Sequence, residues 1–323
     1  MLRRPVVVLF AVYSCACGSD RSAQVVTHTV LDPSGCTWQL PVTTGHIAGT
    51  DLSELSGIAR SRRFPDRFYA HNDSGNPPDV FAIDSTGKVY ASFRLDGASN
   101  VDWEDVAVGP CGPPMPDAAT PSDCVWIGDI GDNLNERKEV HLVRWSEPAE
   151  LPGAPSAVSI AVGKKEWQEL SFHYPDGAQN AEALAVLPDA RLLVLTKRND
   201  GTARIYRITP HWPHVGDKPA KVESLGVLGL AVGATKEGGE LKLTAADLSS
   251  DGSRLIVRTY GSLQLFRGAE VLSGPPGSLA DWRALVLPSP VESQGEAVTW
   301  DADGTILTAS EGKDPAMFRV RCH

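Results

Sequence analysis

The stretch NVDWEDVAVGP, residues 100–110, sets three acidic residues around a tryptophan and then continues as an apolar alternation. Alternation with a period of two is typical of a half-buried β-strand. Unpaired carboxylates are costly to bury, so a core strand that begins with this much negative charge indicates that something offsets the charge at its head.

Four further segments share this plan, each with a hydroxyl or an acid at the head of an apolar strand. The five are SGIARS from Ser56, EDVAVGP from Glu104, EALAVLPDA from Glu182, TAADLSSDG from Thr244 and EAVTWDADG from Glu296. A second apolar strand with a polar end follows each one: FYAHNDSG, VWIGDIGDN, LLVLTKRNDG, LIVRTYGS and ILTASEGK. A third strand follows in every unit, and units of several antiparallel strands predict a β-propeller.

We therefore predict an all-β fold, a β-propeller of five blades, with a pair of β-sandwiches as the alternative. The segments SAVSIAV and EWQELSFHY both look like strands and leave a sixth blade open. The fifth unit lacks an outer strand before the sequence ends at His323, and CTWQLPV, which starts at Cys36, is expected to supply it. The N- and C-terminal strands would then share one blade.

Four cysteines follow the first twenty residues, and two pairings are expected among them. Cys111 and Cys124 bracket a Pro-rich loop between two strand-like runs, so their pairing is the local one. Cys36 and Cys322 would then join the two ends of the ring. Two unpaired buried thiols are the alternative for this second pair.

The first residues, MLRRPVVVLFAVYSCACGSD, have the basic start and short apolar run of a secretory signal. VYSC resembles the bacterial lipobox, which makes Cys15 the expected lipidation site and Cys17 a second candidate. We expect residues 1–14 to be the signal peptide, 15–34 a lipidated tether, and 35–323 a single propeller. This places the protein in the bacterial cell envelope, with a periplasmic or secreted form as the alternative.

The formal net charge is −10, and an acidic product of export is unsuited to binding nucleic acid. We expect a monomer that binds a small molecule and meets the membrane only through its lipid. The sequence contains no Gly-x-Ser-x-Gly element, no phosphate-cradling Gly-Lys motif and no dinucleotide fingerprint.

The innermost strands of a propeller line its central channel, so residues at equivalent positions converge on the axis. Here they are Ser56, Glu104, Glu182, Thr244 and Glu296, called the axial ring below. Three carboxylates held together would repel one another, and a hard cation with oxygen ligands would relieve this, which predicts calcium rather than zinc. The alternative is that each acid caps the backbone of the next blade without a metal.

The order hydroxyl, Glu, Glu, hydroxyl, Glu resembles the calcium-activated nucleotidases, or apyrases. SELSGIA with FYAHNDSG is similar to the first blade of that family, and WEDVAVGP with VWIGDIGDN to its second. The resemblance implies a secreted five-bladed propeller with calcium at its axis. AEALAV stands where the family carries a Ser/His/Trp signature, so the resemblance does not extend to a nucleotide substrate. Phytase-like exported propellers share the same broader plan.

The polar ends of the second strands are expected on the same face as the axial ring. Asp73, Lys197, Arg258 and Glu311 lie at these ends. Lys197 and Arg258 would neutralise a phosphorylated ligand, while Asp73 or Glu311 would position or deprotonate a water. The sequence thus predicts a metal-dependent phosphohydrolase, and a non-catalytic propeller with structural calcium is the alternative.

Overall fold

The computed structural model describes residues 29–47, 51–112, 115, 123–211, 220–231, 241–268, 274–275 and 283–323. These residues form strands and turns, without an α-helix. None of them belongs to a helix with the length and apolarity needed to cross a bilayer. The predicted signal peptide, with Cys15 and Cys17, lies outside the described residues.

The strands are short and closely spaced, as the many turn residues between apolar runs predict. In chain order they are β1 (Val30–Leu31), β2 (Thr37–Trp38), β3 (Val42–His46), β4 (Leu55–Arg60), β5 (Phe68–Asn72), β6 (Asp79–Ile83), β7 (Val89–Leu95), β8 (Trp103–Pro110), β9 (Asp123–Asp129), β10 (Val140–Ser146), β11 (Ser159–Val162), β12 (Trp167–Phe172), β13 (Ala181–Val186), β14 (Leu192–Thr196), β15 (Thr202–Thr209), β16 (Lys221–Gly229), β17 (Leu243–Leu248), β18 (Arg254–Thr259), β19 (Ser262–Arg267), β20 (Leu285–Leu287), β21 (Gly295–Trp300), β22 (Ile306–Ser310) and β23 (Ala316–Val320).

Five sheets form the blades of a β-propeller, which confirms the predicted fold. From the axis outward, blade 1 is β4-β5-β6-β7-β11, blade 2 is β8-β9-β10-β12, blade 3 is β13-β14-β15-β16, blade 4 is β17-β18-β19-β20 and blade 5 is β21-β22-β23-β3. The pairs within the blades are antiparallel except that β11 runs parallel to β7. The five inner strands are the five segments that the sequence singles out.

The two segments that left a sixth blade open belong to blades 1 and 2. Ser159–Val162, within SAVSIAV, adds β11 to the outer edge of blade 1. Trp167–Phe172, within EWQELSFHY, is β12, the outermost strand of blade 2. The described residues therefore form five blades and no sixth.

An N-terminal strand closes the ring, as predicted, but it lies further along the chain than expected. β3 pairs antiparallel with β23, and of CTWQLPV it includes only Val42. Thr37 and Trp38 instead form a hairpin with β1, and Trp38 also bridges to Cys322. Both predicted disulfides are formed, Cys36 to Cys322 and Cys111 to Cys124.

The hydrophobic core is divided into five clusters, one at each interface between neighbouring blades. Trp103 and Trp145 pack between blades 1 and 2, and Trp126 packs between blades 2 and 3. The apolar side chains thus hold the blades against one another, which leaves the heads of the inner strands to polar residues.

Candidate functional site

A β-bulge occurs at the head of every inner strand. The pairing with the second strand shifts register between Leu55 and Gly57, Trp103 and Asp105, Ala181 and Ala183, Leu243 and Ala245, and Gly295 and Ala297. The residue skipped in each case is the predicted member of the axial ring. The five positions are structurally equivalent because each is the extra residue of the same bulge, and a bulge changes the direction of the side chain that it contains.

A cavity of about 240 Å³ opens at this end of the axis. Its lining residues are Glu54, Leu55, Ser56, Asp73, Glu104, Asn133, Glu182, Lys197, Tyr260, Gln294, Glu296 and Glu311. Four members of the axial ring are thereby brought together with Asp73, Lys197 and Glu311. Thr244, the fifth ring member, is buried and is not part of the lining.

The two ring hydroxyls connect neighbouring blades. Ser56 Oγ donates a hydrogen bond to the backbone carbonyl of Glu104 at 2.6 Å. Thr244 Oγ1 donates in the same way to the carbonyl of Gly295 at 2.9 Å. Each hydroxyl therefore uses its proton on the next blade, while its oxygen lone pairs remain as acceptors.

Two aspartates outside the axial ring cap the backbone of the next blade, which is the role that the metal-free alternative gave to the ring acids. Asp105 Oδ2 accepts from the backbone N–H of Leu184 in blade 3 at 2.9 Å. Asp247 Oδ2 accepts from the N–H of Trp300 in blade 5 at 2.9 Å. The capping role thus falls to these residues, whereas the ring glutamates line the cavity.

Burial and mutual repulsion disfavour the ionised forms of the ring glutamates. Burial raises the pKa of Glu104 well above its ordinary value, and the charges of Glu182, Asp73 and Asp102 raise it further. Burial also raises the pKa of Glu182, and that of Glu296 to about 7. These shifts show that negative charge in the cavity is poorly compensated by the protein itself.

Lys197 is the cation of the cavity lining. Its Nζ lies 3.0 Å from Glu182 Oε2 and 5.1 Å from the centre of the Tyr260 ring. Burial opposes the charged form of this lysine, but Glu182, Tyr260 and Glu296 outweigh it and raise its pKa. Lys197 therefore remains an ammonium ion at neutral pH.

The residues two positions before the ring glutamates differ from blade to blade. Asn180 Nδ2 donates to Glu182 Oε1 at 3.1 Å, and Gln294 Nε2 donates to Glu296 Oε1 at 2.9 Å. Blade 2 instead places Asp102 two residues before its ring member. Because side chains alternate with a period of two along a strand, these residues lie on the same side as the ring member. The difference between an amide and an acid at this position can therefore be predicted from the sequence.

Asp73, Asp102 and Glu104 form an acidic trio. Each offers a carboxylate oxygen, and the three oxygens lie within 4.8 Å of one another. The donor set is composed of oxygen, which fits a hard cation such as calcium or magnesium and not a metal that prefers nitrogen or sulfur.

Arg258 does not line the cavity. Its side chain is buried, forms an ion pair with Glu292, and donates hydrogen bonds to the carbonyls of Ala297 at 2.6 Å and Ala309 at 3.1 Å. Among the described residues, Arg258 therefore joins blade 4 to blade 5 rather than presenting its charge on the open face.

No protein-family model matches the sequence, and no curated protein matches it. Among solved structures, the fold is similar to the PQQ-bound aldose sugar dehydrogenase from Streptomyces coelicolor, at 14% identity and a TM-score of 0.44, over 88% of this chain and 98% of that one. It is also similar to a streptogramin B lyase, at 10% identity and a TM-score of 0.40, over the same shares of the two chains. These likenesses are too distant to bear on function.

Proposed function

We propose that this protein binds a calcium ion at the axial cavity and uses that site to hydrolyse a phosphorylated small molecule. One observation carries the proposal: the lining contains six carboxyl groups and one lysine. The six are Glu54, Asp73, Glu104, Glu182, Glu296 and Glu311. A hard cation with oxygen ligands offsets such a charge, and the resemblance to the calcium-activated nucleotidases supports the same metal.

The ligands of the ion would be drawn from the ring members that reach the cavity and from the trio of Asp73, Asp102 and Glu104, whose carboxylate oxygens already lie within 4.8 Å of one another. Ser56 would contribute its hydroxyl oxygen, since its proton is already donated to the next blade. When bound, calcium would offset the negative charge of phosphoryl oxygens. Thr244 is the ring member least suited to bind the ion, because it does not line the cavity.

The chain's own groups suit a water-activating role at the mouth of the cavity. Asp73 and Glu311 line it beside Lys197. Burial and the neighbouring charges of Asp73 and Glu54 raise the pKa of Glu311, which makes it a stronger base than an ordinary glutamate. Binding sites for whole ligands usually enclose about 300–1,000 Å³. A cavity of about 240 Å³ would therefore admit a phosphoryl group and leave the rest of the ligand outside.

A non-catalytic ligand-binding propeller is the second candidate. It is favoured by the pairing of both predicted cations, Lys197 with Glu182 and Arg258 with Glu292. In this alternative, calcium stabilises the ring and the same face binds a ligand without transforming it. For either candidate we propose export, since two disulfides are typical of an oxidising compartment. The proposed lipid anchor rests on the sequence alone.

Calcium should stabilise the fold. An ion present at about 100 times its Kd adds about 2.7 kcal/mol to the free energy of unfolding. We expect this to raise Tm by about 5 °C for a chain of this size. Thermal melts in calcium, in magnesium and in chelator measure the effect. A Tm that is the same in calcium and in chelator would contradict the metal site.

The same samples separate the two candidates when they are assayed for phosphate release from nucleotides and simple phosphate esters. Calcium-dependent release supports the hydrolase. Calcium-dependent stability without release from any of these substrates favours the non-catalytic propeller. Release that persists undiminished in chelator would refute the proposed mechanism.

Gly131→Ala should weaken calcium binding without unfolding the protein. A Cβ at this position would collide with the carboxylates of Glu104 and Asp102. Both are the flexible ends of side chains, so they would move aside while the backbone stays in place. Displaced or reoriented ligands typically cost about 10- to 100-fold in metal affinity, and we expect a loss in that range by calorimetry.

Gly153→Ala is the matched control, because a Cβ there meets open space. It should bind calcium as tightly as the wild type. Equal affinity in the two variants would show that the acidic trio takes no part in binding.

A further inference from the structure

Compensation of charge is uneven around the axial ring. Glu182 forms an ion pair with the ammonium of Lys197 at 3.0 Å and accepts a hydrogen bond from the amide of Asn180 at 3.1 Å. Glu296 receives the amide of Gln294 and lies within the electrostatic influence of Lys197, whose charge opposes the burial-driven rise in its pKa. These two glutamates form the compensated half of the ring.

The half around Glu104 is different. Its carboxyl neighbours are Asp73, Asp102 and also Glu182, whose charge raises the pKa of Glu104. The hydroxyl of Ser56 lies 3.5 Å from Glu104 Oε2. Asp102 stands at the position where blades 3 and 5 carry an amide. The least compensated carboxylates therefore cluster around Glu104, whereas the ammonium of Lys197 is paired with Glu182.

We propose that Lys197 is a built-in counter-cation, which fills the half of the ring at Glu182 and Glu296 and confines the divalent cation to the half at Glu104. This inference rests on the proposed calcium site and assigns a role to Lys197 other than contact with phosphate. The ammonium group is covalently tethered, partly buried and held against the Tyr260 ring, so it occupies its half whether or not a divalent cation is bound.

The consequence is that Lys197 limits affinity for the metal. A positive charge within a few ångströms of a divalent cation repels it strongly in a poorly solvated cavity. Removing that charge while keeping the aliphatic stem frees Glu182 to act as a ligand. Lys197→Met should therefore tighten calcium binding by about tenfold or more, whereas loss of an ordinary ligand-orienting residue would weaken it.

The experiment is a calorimetric titration of calcium into the full chain at a mildly alkaline pH, where protons compete little for the carboxylates. Wild type is compared with Lys197→Met, with the charge-conserving Lys197→Arg, and with Lys221→Met. Lys221 is an exposed lysine paired with Glu223 at 2.9 Å on an outer strand, which makes its loss a control for net charge alone. We expect only Lys197→Met to gain affinity.

Unchanged or weaker calcium binding by Lys197→Met would overturn the inference. Glu182→Gln provides a second route if that variant does not fold: it releases the lysine toward the other ring carboxylates and should weaken calcium binding. Unchanged or tighter binding by Glu182→Gln would equally overturn the inference. Binding by Lys197→Met but not by wild type would support the counter-cation and refute the proposed calcium function of the natural chain. Absence of binding in both would refute the two together.

Discussion

Replacing Cys36 and Cys322 by alanine should lower the free energy of unfolding by about 5 kcal/mol. The disulfide between them spans a sequence separation of 286 residues, so it constrains almost the whole unfolded ring. In the chain-entropy account, stabilisation grows with the logarithm of the closed loop. The bond also lies beside the apolar cluster between blades 4 and 5, where Cys36 and Cys322 pack. Urea unfolding under non-reducing conditions measures the change.

The second disulfide is the matched control. Cys111 and Cys124 are separated by 13 residues, and their replacement by alanine should cost about 3 kcal/mol by the same relation. The two costs should therefore differ by about 2 kcal/mol. Equal losses, or a larger loss from the shorter loop, would show that ring closure does not depend on the covalent link between the chain ends.

The repeated unit was readable in the sequence because its inner strands carry their own signal. Each strand has apolar residues long enough to fill an interface between blades, and each begins with a hydroxyl or an acid. The closing strand carries no such signal. Val42–His46 has mostly exposed or half-exposed residues, and only its pairing with β23 makes it a strand. The sequence therefore predicts closure but misplaces the segment that performs it.

The extra strand of blade 1 could not be located for a related reason. After β10 of blade 2 the chain crosses back to blade 1, where Ser159–Val162 pairs in parallel with β7. A parallel pair joins segments that are distant in the chain, and nothing in the local alternation of SAVSIAV specifies which edge it will join. The pattern indicated a strand correctly and left its partner open.

The site was predictable for side chains at the heads of the inner strands or just beyond the ends of the second strands, and unpredictable for side chains inside strands. Lys197 follows β14, which ends at Thr196, and it lines the cavity. Arg258 lies within β18, which ends at Thr259, and its side chain is turned between the blades. Tyr260 lines the cavity from the turn between β18 and β19, and alternation alone does not single it out.

Arg258→Met should destabilise the protein by about 3–5 kcal/mol, because it leaves a buried carboxylate without its cation. The side chains of Arg258 and Glu292 are 3% and 4% exposed. Burial already raises the pKa of Glu292, and the charge of Arg258 opposes that rise. Without the arginine the pKa should climb further, so protonation of Glu292 relieves the penalty at low pH. The variant should thus lose most stability at neutral pH and regain part of it as the pH falls through the raised pKa.

Urea unfolding across this pH range tests the argument against two further variants. In Arg258→Met/Glu292→Leu the unpaired charge is gone, so much of the lost stability should return. Arg198→Met removes an exposed pair with Asp200, whose side chains are 33% and 50% exposed, and should cost less than about 1 kcal/mol. A single Arg258→Met variant as stable as Arg198→Met would mean that the buried pair does not hold blade 4 to blade 5. A double variant no more stable than the single one would instead assign the loss to the carbonyls of Ala297 and Ala309, which Arg258 also binds.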